Sequence, residues 1–192
     1  MSFEYTENNI ADLVAVNIKK ICTSYDCLVP KCYTTHDNEC DLFAIRKSGL
    51  CDEFEIKISR SDFLNDAKKK IAIRESVYFG VDENHEDRKH YNKRDKLSHD
   101  KWKKLLAPWE KMKYEALVNG ETPVNYFWYV VKHDIVDLCD LPEWAGLIKV
   151  FDNCKIRVIK PPKKLHKNKV DDAFKFNIAR KLGFRYWEQR LK

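Results

Sequence analysis

The reading turns on Asp41-Leu-Phe-Ala-Ile-Arg-Lys-Ser-Gly-Leu-Cys-Asp-Glu-Phe-Glu-Ile-Lys57, in which two apolar-rich runs flank a turn signal. The first run, Asp41 to Arg46, and the second, Cys51 to Ser59, are rich in Leu, Phe and Ile, and Phe54, Ile56 and Ile58 alternate with polar residues at the strand period. Two strands are therefore predicted. Lys47-Ser48-Gly49 between them suits a three-residue hairpin loop, with glycine at the position that needs a positive φ.

Loop length sets register. With residues 47–49 as the loop, Arg46 faces Leu50, Ile45 faces Cys51, Phe43 faces Glu53 and Asp41 faces Glu55. Directly opposed side chains share a face, about 4.5–5.5 Å apart at Cβ, and Lys57 projects from the same face as Glu55. A two-residue loop would set Asp41 opposite Ile56 and separate the carboxylates.

Two carboxylates that close repel, and an antiparallel pair needs something to compensate them. A divalent cation does so, because one or two carboxylates completed by water and a phosphate is the oxygen-only shell that Mg²⁺ takes. Lys57 then stands where it orients an attacking water or steadies charge on a phosphate. The alternative is a solvated strand face with an ordinary ion pair.

The Asp41…Glu55-x-Lys57 arrangement resembles the catalytic hairpin of the PD-(D/E)XK nuclease superfamily. The run Glu55-Ile-Lys-Ile-Ser-Arg-Ser-Asp-Phe is similar to the Glu-x-Lys-x-Ser-x-x-Asp-Phe of small DNA-repair-associated and phage-type members. Pro142-x-x-Ala-Gly-Leu147 also resembles a segment of those relatives. The proline usual before the first aspartate is replaced by Cys40. The resemblance implies an α/β, restriction-endonuclease-like domain, a central mixed β-sheet flanked by helices, that hydrolyses DNA with Mg²⁺ or Mn²⁺. It assigns catalysis to Asp41, Glu55 and Lys57, and metal ligation to Asp41, Glu55 and the Ile56 carbonyl. A first-helix glutamate often joins the metal in that superfamily, and Glu7 is the candidate, with Asp12 behind it.

A chain of 192 residues suffices for one domain with a sizeable core, here residues 1–192 with a basic arm inserted at about 84–120. Charged residues make up 34% and the net charge is +6. No apolar signal region or run long enough to span a membrane is present, so a soluble cytoplasmic protein without a membrane partner is expected. Seven scattered cysteines without a secretory context predict thiols. Cys27, Cys32, His36 and Cys40 match no strong zinc spacing and read better as strand residues.

Residues 6–22 read as an amphipathic helix capped by Thr6, with Ile10, Leu13, Val14, Ile18 and Ile21 in one stripe. Cys27–Thr35 follows as a strand that Pro30 assigns to an edge or bulge. Ser61 or Asp62 caps a predicted helix over 62–75, whose lysines include Lys68 and Lys69. Residues 109–118 read as helix, Val124–Val131 as a buried central strand, and 171–182 as a helix broken at Gly183.

Residues 88–104 hold eight Lys or Arg against two Asp, with Tyr91 and Trp102 among them. This composition suits a polyanion whose counterions the cations displace and whose bases the rings stack on. Lys93, Arg94, Lys101, Trp102, Lys103 and Lys104, together with Lys68 and Lys69, are the candidate nucleic-acid contacts. Residues 155–169 add seven Lys or Arg and no acid. DNA is the expected partner, single- or double-stranded, and cutting a duplex with one site per chain makes a homodimer a candidate assembly. Two alternatives remain: a non-catalytic nucleic-acid-binding protein on the same fold, and an interaction module whose basic faces take an acidic protein.

Overall fold

The computed structural model describes residues 4–34, 38–73 and 109–192. Its centre is a six-stranded mixed sheet in the order β1-β2-β3-β6-β7-β8: Tyr25–Tyr33, Glu39–Arg46, Cys51–Lys57, Tyr126–Lys132, Gly146–Val150 and Ile156–Lys160. The β3, β6 and β7 strands run parallel at the centre and the outer pairings are antiparallel. The apolar run of β6 occupies the buried position its composition requires, and Pro30 lies on edge strand β1.

The β2–β3 hairpin has the register its loop dictates, with Ile45 opposite Cys51 and Phe43 opposite Glu53. Gly49 adopts φ +81°. Arg46 closes the loop by donating its amide to the Leu50 carbonyl at 2.8 Å. Its guanidinium also takes both oxygens of buried Asp52, at 2.6 and 2.8 Å.

The two faces of the sheet are covered differently. Helix α1 (Glu7–Val16), capped by the Thr6 hydroxyl, buries Ile10 and Val14 against Leu42, Phe54, Ile56 and Trp128. Asn17 interrupts the expected helix over 6–22, and a single turn, α2 (Ile18–Ile21), follows it. The opposite face packs Phe43, Ile45, Phe127 and Tyr129 against Phe63 of α3 (Arg60–Asp66), Leu117 of α4 (Lys113–Val118) and Ile178 of α5 (Asp172–Arg190).

Four further expectations need correction. The helix predicted over 62–75 is capped earlier, by Ser59, and stops at Asp66, because residues 70–73 form strand β4 (Lys70–Ile73) with β5 (Trp109–Met112). For the same reason residues 109–118 are half strand and half helix. They belong to the body of the domain rather than to an arm reaching 120, since Lys113, Ala116 and Leu117 are buried. Helix α5 runs through Gly183 without a break. One exposed glycine costs a helix only about 1 kcal/mol, too little to stop a helix already docked on the sheet.

Candidate active site

The site grows from β3. Glu53, Glu55 and Lys57 point to one face at the strand period, and that face is covered, not solvated: Glu53 is 0% exposed and Glu55 4%. Charges can be buried there only if other elements bring their counter-ions. Helix α3 begins three residues after Lys57 and returns Asp66 to it, with Nζ 3.6 Å from the carboxylate. The β4–β5 ribbon sets Met112 opposite Lys70, so the chain enters α4 beside Lys69, and the Lys113 amide donates to the Lys69 carbonyl at 2.8 Å.

Lys113 is thereby driven into the interior, 0% exposed. Its Nζ lies 3.1 Å from Glu53, 3.1 Å from Glu55 and 3.8 Å from Asp66, and 4.9 Å from the centre of the Phe127 ring. Glu55 also receives Lys57 at 3.0 Å and Lys69 at 3.8 Å. Glu53 accepts from the Thr34 hydroxyl at 3.2 Å, and Asp66 from the Tyr129 hydroxyl at 2.5 Å, with Tyr114 in turn bonded to Tyr129.

Asp41 enters from the other strand. The β2–β3 ladder ends at Leu42 and Phe54, and the next bond is made by a side chain: Asp41 Oδ2 accepts from the Ile56 amide at 2.8 Å. The carboxylate is thus fixed to the backbone between Glu55 and Lys57. Its Oδ1 meets Lys31 Nζ at 2.7 Å, and Lys31 bridges to Glu7 at 2.9 Å. Glu7 therefore joins the cluster through Lys31, while Asp12, one turn on, is exposed.

The electrostatics divide the carboxylates. Burial, followed by the charge of Glu55, raises the pKa of Asp41 against the pull of Lys31 and the Ile56 amide. Burial likewise raises Glu53, despite Lys113. Glu55 is buried too, but Lys113, Lys57 and Lys69 together outweigh that penalty and hold it at about 2. Lys57 is raised: burial opposes its charge, but Glu55 and Asp66 prevail.

Six carboxylates (Glu7, Asp41, Glu53, Glu55, Asp62, Asp66) and four lysines (Lys31, Lys57, Lys69, Lys113) make up this network, a surplus of two negative charges. That surplus and the oxygen-only donors fit a divalent cation of the Mg²⁺ type. Among the described residues, no three His, Cys, Asp or Glu side chains already converge as a ready-made metal cage. A cation would rely on the Asp41 and Glu55 carboxylates, the Ile56 carbonyl and outside ligands.

The structure thus gathers Asp41, Glu55, Ile56 and Lys57, with Glu7 attached through Lys31. Lys69 belongs to the site, whereas Lys68 is exposed. Lys93, Arg94, Lys101, Trp102, Lys103, Lys104 and His36 lie outside the described residues. Cys32 and Cys40 pair across β1 and β2, with the Cys40 thiol donating to the Cys32 carbonyl at 3.1 Å, and all seven cysteines are free. Sequence reasoning missed Glu53, Asp66, Lys113, Tyr129 and Lys31. Glu53 was within reach, because it precedes Glu55 on the same strand face. The others come from elements whose approach no local pattern records.

No protein-family model and no curated protein matches the chain. Among solved structures it is similar to a protein of unknown function from Silicibacter pomeroyi, with a TM-score of 0.51 and 12% identity over 97% of this chain and 90% of that one. This likeness is one of fold.

Proposed function

We propose that the protein is a metal-dependent nuclease of the restriction-endonuclease-like fold that hydrolyses phosphodiester bonds in DNA. The observation that carries this reading is the Asp41–Ile56 bond, which holds one carboxylate against the strand that presents Glu55 and Lys57. Asp41, Glu55 and the Ile56 carbonyl would hold Mg²⁺ or Mn²⁺, which lowers the pKa of a bound water and takes up charge on the phosphate. Lys57, kept protonated by Glu55 and Asp66, orients the attacking water and offers its proton-bearing nitrogen to the phosphate oxygens. Lys69, half-exposed beside Glu55, meets the incoming backbone. Glu53, Asp66 and Lys113 do no chemistry in this scheme and fix the charge and position of Glu55.

One observation favours a second reading. Glu55 already has three ammonium groups within 4 Å, as a structural counter-ion would in a nucleic-acid-binding protein that does not cut. Labelled single- and double-stranded DNA incubated with Mg²⁺, Mn²⁺ or EDTA separates the two, with wild type beside Asp41→Ala and Lys57→Ala. The nuclease reading expects metal-dependent cutting that both substitutions abolish. Tight binding without cutting under either metal, unchanged in both variants, overturns it and supports the binder.

A further inference from the structure

Helix α5 carries two apolar faces, and the sheet uses only one. Phe174, Ile178 and Leu182 pack onto the face that holds Glu53 and Glu55, and Arg185 donates to the Pro30 and Lys31 carbonyls at 2.5 and 2.6 Å. Phe176, Phe184, Trp187 and Leu191 lie outside, each more than half exposed. At about 100° per residue these four fall within an arc of roughly 80°. Gly183 falls about 20° beyond the edge of that arc, and a methyl group added there would meet no atom within 4 Å among the described residues.

The charge around this face names its occupant. Residues 171–192, the helix with its cap and end, contain six Lys and Arg against three Asp and Glu, an excess of three, and Arg180 falls within the apolar arc itself. A second copy would set cation against cation, and so would the cationic 88–104 segment of this chain. A polyanion matches the charge, and one with unpaired bases also matches the rings, since every base offers a stacking face. The location agrees: Arg185 grips the backbone of Lys31, whose Nζ reaches Asp41 at 2.7 Å.

We propose that the outer face of α5 is a docking surface for single-stranded DNA, with Phe176, Phe184 and Trp187 stacking on bases while Arg180, Arg190 and their cationic neighbours hold phosphates. It rests on the nuclease reading in supplying that site with a substrate class. A strand laid along α5 passes the Lys31 end of the site, so the helix acts as a rail that feeds the hairpin.

The test is fluorescence anisotropy of labelled oligothymidylate and of a duplex of equal length, titrated with the full chain in EDTA. Wild type is compared with Phe184→Ala/Trp187→Ala and with the ring-retaining Phe184→Tyr/Trp187→Phe. Loss of two stacking contacts weakens single-strand binding at least tenfold, about 1.4 kcal/mol. The ring-retaining pair keeps the wild-type affinity, and duplex binding and the salt dependence stay as in wild type, because the phosphate contacts are untouched. Unchanged single-strand affinity in the alanine pair overturns the proposal, as does an equal loss on duplex. It also falls if polyglutamate competes as well as unlabelled oligothymidylate, which marks an acidic protein as the partner, or if wild type is a dimer that the alanine pair dissociates. No turnover occurs in EDTA, so this result is independent of the Asp41→Ala cleavage experiment, and either reading can fail alone.

Discussion

Replacing Lys113 with methionine keeps its length and removes its charge, and the consequence follows from the distances around it. Two carboxylate oxygens lie 3.1 Å from Nζ, and at an effective dielectric near 20 each such contact amounts to roughly 5 kcal/mol of attraction. Burying the ammonium takes back several kcal/mol, so the net loss falls at about 3–5 kcal/mol, the size expected when one partner of a buried ion pair is removed. Most of that loss is the cost of leaving Glu53 and Glu55 charged, buried and short of a cation. With a urea slope of about 2 kcal/mol/M, the unfolding midpoint should fall by roughly 2 M at pH 7. Glu53→Gln in the Lys113→Met background should restore at least about 1 kcal/mol, a coupling read from the double-mutant cycle. A midpoint shift below about 0.5 M, or a second substitution that only adds to the damage, would refute the view that Lys113 is the counter-ion of this core.

Three further outcomes are expected. Glu55 is held at about 2 against an ordinary 4.5, so its charge stabilises the fold above pH 4.5 or so, and that contribution is lost as the pH falls toward 2. Glu55→Gln should flatten this acid limb in denaturation measured at stepped pH, and an unaltered limb would count against the assignment. Gly146→Ala places a methyl group 2.6 Å from the Trp128 ring and 2.9 Å from Pro162, and should destabilise by about 1–3 kcal/mol in thermal melts. Gly183→Ala, in the open on a continuous helix, should instead stabilise by up to about 1 kcal/mol; a loss there would mean that α5 is interrupted after all.

The hairpin was legible because everything that sets it is local: a three-residue loop, a glycine at its one left-handed position and alternation on either side. The buried β6 strand and the Thr6 cap were legible for the same reason. What ended α3 is not local. Lys68, Lys69 and Lys70 favour helix on their own, and only pairing with residues 109–112, far along the chain, turns Lys70–Ile73 into a strand. Lys113 illustrates the same limit. Nothing in Lys-Tyr-Glu-Ala-Leu-Val separates a lysine bound for water from one bound for three carboxylates. Asp41 lay between these cases, since its strand and facing residue could be read but its capture of the Ile56 amide could not.

The irregular edge of the sheet also bears on how the protein behaves when crowded. An outer strand normally offers a row of open amides and carbonyls to any passing chain, and so templates aggregation. On β1 that row is broken. Pro30 has no amide to give, Lys31 turns out of the strand at φ +48°, and Arg185 occupies both of their carbonyls. The twist that carries Lys31 to Asp41 thus also denies β1 a run of docking sites long enough to recruit a foreign strand. Variants that straighten it, such as Lys31→Val with Pro30→Thr, would be expected to precipitate at concentrations the native chain tolerates.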